Sequence, residues 1–348
     1  MIMSSKAAND NTAVSVLMPC YNAQSTIDEA VLSILEQTFS NFELITVDDG
    51  STDRTADRLR DWASSDRRVR VLTFPHAGII EALNGGLVAC KSGLIARMDA
   101  DDRAHPDRLT KQVRFLTEHP EISVVGSYIE AFPGDKVGEG FKHYLAWLNS
   151  LDTPERIARD IFVESPLAHS STMIRADWLR RVGGYQEHGW PEDYDLWLRM
   201  HVAGARMGKV QEVLLEWREH PDRLTRTDGR YSVENFLRAK AHYLCLGPLA
   251  DREAVIIWGA GQMGRRISKH LERGGASLVA FVDIDPKKIG GVKRGLPILS
   301  AEQLPELLKQ YREPMVLAAV GSRGARELIR QRLDEMGLIE TQDYLAVA

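Results

Sequence analysis

The chain has 348 residues, 44% hydrophobic and 27% charged, which is enough apolar material for two domains or one large one. A formal net charge of −5 gives no electrostatic reason to expect nucleic acid as a partner, and the small basic run Arg67-Arg68-Val69-Arg70 suits a solvated turn. The cysteines, Cys20, Cys90 and Cys245, are odd in number and contain no CxxC pair, which argues against a zinc site and a disulfide framework and fits a reducing, cytoplasmic setting.

Residues 1–13 are polar, lack a signal-peptide apolar core, and are expected to form a disordered lead-in. No run of about 18 apolar residues occurs, so no transmembrane helix is predicted and any membrane contact is peripheral. Continuous apolar runs at 14–18, 43–47, 69–74 and 94–98 predict buried strands. Between them, 25–37, 52–63 and 79–90 predict amphipathic helices, with Ser25 and Ser51 placed as N-caps of the first two. Such alternation implies right-handed crossovers and a largely parallel sheet. A helix is expected at 106–117, a strand at 122–129, a loop over the glycine- and aromatic-rich 132–144, a strand near 170–174, and helices at 192–203 and 231–245. Glycine and proline in Leu246-Gly247-Pro248 stop the last of these, and the alternation restarts. Strands at 255–258, 278–282 and 315–320 and helices at 262–273, 301–311 and 323–336 complete the chain, with domains expected at 13–245 and 254–348.

Two acidic clusters close predicted strands: Val47-Asp48-Asp49-Gly50-Ser51 and Met98-Asp99-Ala100-Asp101-Asp102. In open α/β sheets ligands gather beyond the carboxyl ends of strands, so both clusters can face one cleft. Closely spaced carboxylates repel one another unless a cation or donor compensates, and Asp99-x-Asp101 offers hard oxygen ligands suited to Mg²⁺ or Mn²⁺. The same residues could simply terminate strands and cap the helix at Pro106. A third pair, Glu192-Asp193, opens a predicted helix, where acidic groups complement the helix dipole.

The stretch Val14-Ser-Val-Leu-Met-Pro-Cys-Tyr-Asn22, then Leu32-Ser-Ile-Leu-Glu-Gln-Thr38, Val47-Asp-Asp-Gly-Ser-Thr-Asp53, Asp99-Ala-Asp-Asp102, Pro106-Asp-Arg-Leu109, Gly183-Gly-Tyr185 and Glu192-Asp-Tyr-Asp-Leu-Trp-Leu-Arg199 resembles the family 2 inverting glycosyltransferases of GT-A fold. The resemblance runs in order over about 230 residues. It implies metal-dependent transfer from a nucleoside-diphosphate sugar, UDP preferred with dTDP and GDP open, to a hydroxyl acceptor such as a glycan or a lipid-linked sugar. The implied setting is bacterial surface glycan assembly. Residue by residue, it implies that Pro19 and Tyr21 line the base pocket, Asp49 accepts from the base, and Asp99 touches ribose or donor sugar. Asp101 would hold Mn²⁺ or Mg²⁺ with Asp102 nearby, while Asp193 would be the general base supported by Glu192. Trp217-Arg218-Glu219-His220 is similar to a late aromatic–Arg–x–His segment of the family, which implies phosphate contact by Arg218 and metal contact by His220. His169 reads as a structural hydrogen-bonding histidine. The Gln-x-x-Arg-Trp signature of processive synthases is absent, which points to single-sugar transfer. Inverting displacement needs one base and no covalent intermediate, so a single carboxylate suffices.

In the C-terminal part, Gly259-Ala-Gly261-Gln-Met-Gly264 follows a predicted strand and opens a helix, and Asp283 lies 19 residues further on at the next strand's end. This is the context of a dinucleotide fingerprint, with Gly259, Gly261, Gly264 and Asp283 as a second candidate nucleotide site. An NAD-dependent oxidoreductase or a nucleotide-sensing module is the alternative function. The 95 residues from 254 onward leave little room for a separate catalytic domain. Val282-Asp-Ile-Asp-Pro-Lys-Lys-Ile-Gly290 is similar to the small Rossmann-like domain of some bacterial sugar acyltransferases, which implies nucleotide-sugar binding. A purely structural role for the glycines, or a docking role for the domain, stays open beside it.

Overall fold

A computed structural model describes residues 12–134, 137–221, 223–322 and 324–348. The reading of residues 1–11 as a lead-in lies outside the described residues. In chain order the elements are β1 (Val14–Cys20), α1 (Ile27–Leu35), β2 (Phe42–Asp49), α2 (Thr55–Ser65), β3 (Val69–Phe74), α3 (Ile79–Ala89), β4 (Leu94–Arg97), β5 (Arg103–Ala104), α4 (Arg108–Glu118), β6 (Ile122–Phe132) and α5 (Glu139–Ser150). There follow α6 (Pro154–Asp160), β7 (Met173–Arg175), α7 (Ala176–Arg181), α8 (Glu192–Val202), β8 (Arg206–Arg218), α9 (Leu224–Thr227) and α10 (Val233–Leu246). The chain ends with β9 (Ala254–Trp258), α11 (Gln262–Arg273), β10 (Leu278–Val282), β11 (Val292–Lys293), β12 (Leu296–Leu299), α12 (Leu304–Leu308), β13 (Pro314–Ala318), α13 (Ala325–Glu335) and β14 (Tyr344–Ala346).

These elements gather into two compact units, one comprising the chain up to Ser150 with Leu167–Tyr185 and Met207–His220, the other Leu151–Pro166, Gln186–Arg206 and Pro221–Ala348. The first is built on an eight-stranded sheet in the order β3-β2-β1-β4-β7-β6-β8-β5. Strands β3, β2, β1 and β4 are parallel, and β7 runs antiparallel to β4 and β6. Strand β2 is buried along its whole length, as expected of a parallel strand covered on both faces. Helix α1 buries Ile27, Ala30, Val31 and Ile34 at the three- and four-residue spacing of one helical face.

Several local expectations are corrected. Neither Ser25 nor Ser51 caps a helix: α1 starts after Thr26 with no side-chain cap, and α2 starts after Arg54. Ser51 Oγ instead accepts from the Asn22 amide, and Asp53 Oδ1 accepts from Thr55 N at 2.9 Å. Part of the predicted loop at 132–144 is helix α5, whose aromatic residues do pack, Phe141 against Trp217 and Tyr144 against Trp147. Strand β8 runs where the sequence predicts no element, and its burial does not alternate: Met207, Gly208, Lys209 and Val210 are buried in a row, with Lys209 donating to the Leu148 carbonyl at 2.6 Å. Residues 301–311 form a short 3-10 turn and α12 rather than one helix.

The second unit carries a six-stranded sheet in the order β11-β12-β10-β9-β13-β14, parallel except for β11. Ile256, Trp258, Val282, Val316, Leu333 and Tyr344 form its core. Helices α6, α8 and α10 belong to this unit although they precede its sheet in sequence. Buried polar contacts tie them in. Arg330 pairs with Asp160 and Glu340, and Lys240 Nζ donates to the carbonyls of Val163 (2.6 Å) and Val347 (3.3 Å). All three cysteines are free thiols.

Candidate active site

In the first sheet the chain moves outward from β1 to β2 and β3, then crosses to β4 on the other side of β1. The carboxyl ends of β1, β2 and β4 therefore flank a topological switch point, where open α/β sheets place ligands. Both strand-end acidic clusters of the sequence fall there: Asp48-Asp49 closes β2, and Asp99 to Asp102 follow β4.

Asp99, Asp101 and Asp102 each offer a carboxylate oxygen within 4.8 Å of the others. Their environments differ. Asp99 and Asp101 are partly exposed, whereas Asp102 is fully buried and accepts from Ser170 Oγ at 2.6 Å and from the Arg218 amide at 2.9 Å. Burial, with Asp101 and Asp99 adding to it, pushes the Asp102 carboxyl well above the usual range. Two buried guanidinium groups lie beneath the cluster. Arg97 pairs with Asp99, and Arg108 donates to the Arg97 carbonyl at 2.6 Å. Positive charge under the loop offsets part of the repulsion among three neighbouring acids, and the outward-facing Asp99 and Asp101 fit a hard divalent cation.

Strand β8 brings Arg218 and His220 to the same place. Arg218 Nε donates to the Asp101 carbonyl at 2.6 Å, its guanidinium pairs with Glu29, and it lies over the Phe132 ring at 4.4 Å. His220 Nε2 lies 2.9 Å from Asp101 Oδ2. The two residues expected to meet phosphate and metal thus sit on Asp101 itself. His169 is buried, hydrogen-bonds Tyr185 Oη at 2.7 Å, and is held below its usual pKa by burial and then by Arg97.

At the end of β2, Asp49 is buried and spans two backbone amides, Ala77 N to Oδ1 and Gly78 N to Oδ2, both at 2.9 Å. His76 Nδ1 lies 2.8 Å from Asp49 Oδ2, and its ring stacks on Tyr21 with centroids 4.1 Å apart. Tyr21, just past β1 and Pro19, is 46% exposed, so one aromatic ring pair stands at the rim beside Asp49. Sequence reasoning missed His76, whose only signal was its place in the turn after a strand parallel to β2. It also missed Ser170, Arg97 and Arg108, which lie outside the acidic motifs.

Glu192 and Asp193 open α8 in the second unit. Glu192 is buried and accepts from Tyr231 Oη at 2.7 Å, with Arg230 at 3.9 Å. Asp193 is half-buried and accepts from the Tyr194 amide at 2.7 Å. Burial, and then Glu192 and Asp193, raises the Tyr231 phenol well above its usual pKa. Further along α8, Asp195 is fully buried between Trp190 Nε1 (2.8 Å), Tyr243 Oη (2.7 Å) and Arg199, fixing the helix that carries the pair.

In the second unit, Gly259 closes β9 at φ +118°, a conformation that disfavours a side chain. Gly264 packs so closely that a Cβ would lie 1.8 Å from the Gly259 carbonyl oxygen, whereas a Cβ on Gly261 would meet nothing within 4 Å. Asp283 does not stand free: it accepts from Ala260 N (2.9 Å), Asp285 N (3.0 Å) and Lys288 Nζ (3.0 Å).

The first unit thus has an aspartate trio at the switch point of its α/β sheet, with Arg218 and His220 hydrogen-bonded to Asp101. The chain belongs to glycosyl transferase family 2, whose sequence pattern matches residues 15–183. It is 35% identical over 232 residues to a putative glycosyltransferase, EpsE, of Bacillus subtilis (strain 168), covering 65% of this chain and 80% of that one. It is 30% identical over 236 residues to the O-antigen biosynthesis glycosyltransferase WbnJ of Escherichia coli, covering 65% and 90%. Among solved structures, S. aureus TarS 1–349 in complex with UDP-GlcNAc matches with a TM-score of 0.55 and 18% identity over 75% of this chain and 72% of that one. That similarity concerns the fold. Among the described residues no helix is long and apolar enough to cross a membrane.

Proposed function

We propose that the chain catalyses inverting transfer of a single sugar from a nucleoside-diphosphate sugar, UDP preferred, to a hydroxyl acceptor in bacterial surface glycan assembly. The observation that carries this reading is the convergence of Asp99, Asp101, His220 and Arg218 at the switch point of the first sheet. The name of the O-antigen relative supports the setting, and the UDP-GlcNAc complex of a protein of the same fold agrees with the donor class. Residues 13–245 would carry the transferase and 254–348 a Rossmann-like domain similar to that of sugar acyltransferases.

Asp101, with His220 and with Asp102 helping nearby, would hold Mn²⁺ or Mg²⁺, which supplies charge neutralisation for a departing nucleoside diphosphate, and Asp99 would touch the ribose or donor sugar. Asp102 would act from behind, fixing the Asp101 loop to β8 through Ser170 and the Arg218 amide. Arg218 is permanently charged and its planar guanidinium suits a diphosphate oxygen once it swings from exposed Glu29. Tyr21 and His76 offer a stacking face for the base, Pro19 lies just before them, and Asp49, which holds the turn that carries His76, would accept from the base. Asp193 would take the proton from the acceptor hydroxyl as it attacks the anomeric carbon. Glu192, bonded to Tyr231, would keep the start of α8 in place.

The test is a transfer assay with a panel of UDP-, dTDP- and GDP-sugars and lipid-linked acceptors on the full-length chain and on Asp193→Asn. Asp193→Asn should lower kcat at least 100-fold with donor affinity unchanged. Near-wild-type turnover would remove Asp193 from the base role.

A further inference from the structure

A cavity of about 860 Å³ opens in the second unit above the carboxyl ends of β9, β10 and β13. Its size is that of a small-molecule site. The chain order places it at a second topological switch point, since β10 and β12 lie on one side of β9 and β13 and β14 on the other. The wall chemistry is mixed. It includes Gly259, Gly261 and the start of α11, a helix with no side-chain cap and no acidic residue in its first turn. Its leading amides therefore keep their donors directed at the cavity. Arg266, Lys288 and Arg332 line the cavity together with Asp283, Asp285 and Glu302; Lys288 pairs with Asp283 at 3.0 Å and Arg266 with Glu234 at 3.3 Å, whereas Arg332 reaches Glu302 and Glu335 only at 3.8 and 3.5 Å. Two large apolar side chains also line the cavity while left open to solvent, Ile284 at 77% and Leu328 at 69% exposure. Uncovered apolar side chains, together with uncapped helix amides and the loosely paired Arg332 guanidinium, match a ligand with a flat apolar body and an anionic tail.

We propose that this cavity binds a ribonucleoside 5′-diphosphate group, whether in a free nucleotide, a dinucleotide or a nucleotide sugar. The diphosphate rests on the Gly259-to-Gly261 turn and the first turn of α11, close to Arg266 and Arg332. The ribose faces Asp283, which the Ala260 amide and Lys288 already fix in position. The base lies against Ile284 and Leu328. The open space at Gly261 is what lets phosphate approach the backbone. This site is separate from the aspartate trio and does not depend on the transfer reaction proposed above.

Calorimetric titration of ADP, NAD⁺ and UDP into the full-length chain in EDTA tests it, because the divalent cation proposed for the first unit is then absent. At least one probe should bind. Its affinity should stay within twofold in Asp101→Ala and fall tenfold or more in both Gly261→Asp and Ile284→Asp. Ile284 is exposed, so its substitution leaves the fold intact and keeps the test valid if Gly261→Asp perturbs folding. Binding of ADP or NAD⁺ indicates an adenine nucleotide, and binding of UDP alone indicates a nucleotide sugar. Failure of all three to bind, binding lost in Asp101→Ala, or unchanged affinity in Ile284→Asp overturns the proposal.

Discussion

Gly264→Ala tests how the glycines of the second unit work, because helix propensity and packing pull in opposite directions. Alanine in place of glycine within a helix contributes roughly 1 kcal/mol of stability. At this position the new methyl would lie 1.8 Å from the Gly259 carbonyl oxygen and 3.1 Å from Ile257 Cγ2. The first clash is with backbone, so no rotamer change relieves it, and α11 must retreat from β9 by roughly 1 Å or more. Overpacking of this kind costs about 1–3 kcal/mol and more where the neighbour is rigid. The clash therefore wins, and Gly264→Ala should lose about 2 kcal/mol net. Gly261→Ala is the internal control: its φ is −79° and its Cβ meets nothing within 4 Å, so it should stay within about 0.5 kcal/mol of wild type. Urea unfolding of the two variants, followed by circular dichroism, reads the difference. Equal stability of Gly264→Ala and wild type would refute the packing argument and leave propensity as the controlling term.

Further outcomes are expected elsewhere. Ser170→Ala removes one of the donors to the buried Asp102 carboxylate and should cost about 1.5–3 kcal/mol, measurable by the same unfolding assay; a loss under about 0.5 kcal/mol would mean Asp102 is satisfied without it. Arg330→Met takes one of two guanidinium partners from the buried Asp160 carboxylate, Arg159 keeping its contacts at 3.1 and 3.2 Å, and should cost about 1.5–3 kcal/mol, part of which Arg330→Met with Asp160→Leu should restore; no restoration would show that the pair is not the unit of stability. His169 is held below its usual pKa by burial and then Arg97, so the unfolded chain takes up a proton below about pH 6.5 while the folded chain does not. Its contribution is therefore complete above about pH 6.5 and falls by up to about 1.4 kcal/mol per pH unit below it. His169→Gln should show a smaller stability loss between pH 7.5 and 5.5; an unchanged loss would clear His169 of the effect.

Much of the first sheet was legible because parallel strands announce themselves as unbroken apolar runs, as β2 does. The acidic strand ends were legible for the same reason, since an end of strand followed by carboxylates needs no tertiary knowledge to read. What surrounds them was not. Ser170 reaches Asp102 from far along the chain, and nothing near Asp102 in sequence marks it as a neighbour; Arg108 lies close in sequence, but its burial on the Arg97 carbonyl shows only in the fold. Strand β8 hid itself because the buried Lys209 satisfies its charge on a backbone carbonyl rather than in water. The N-caps failed at Ser25 and Ser51 because Ser51 and Asp53 spend their side chains on the turn that joins residues 22–24 to α2. The glycine motif was read correctly in position, but which glycine serves turn, approach or packing came only from the φ of Gly259 and the spaces around Gly261 and Gly264.

The central claim, that the aspartate trio of the first sheet holds the donor through a divalent cation, is tested most directly by titrating UDP into the full-length chain with and without Mn²⁺, beside Asp101→Ala. The account predicts a Mn²⁺-dependent component of UDP affinity of at least tenfold that disappears in Asp101→Ala. UDP binding that is indifferent to Mn²⁺, or a Mn²⁺ effect that survives in Asp101→Ala, would contradict it.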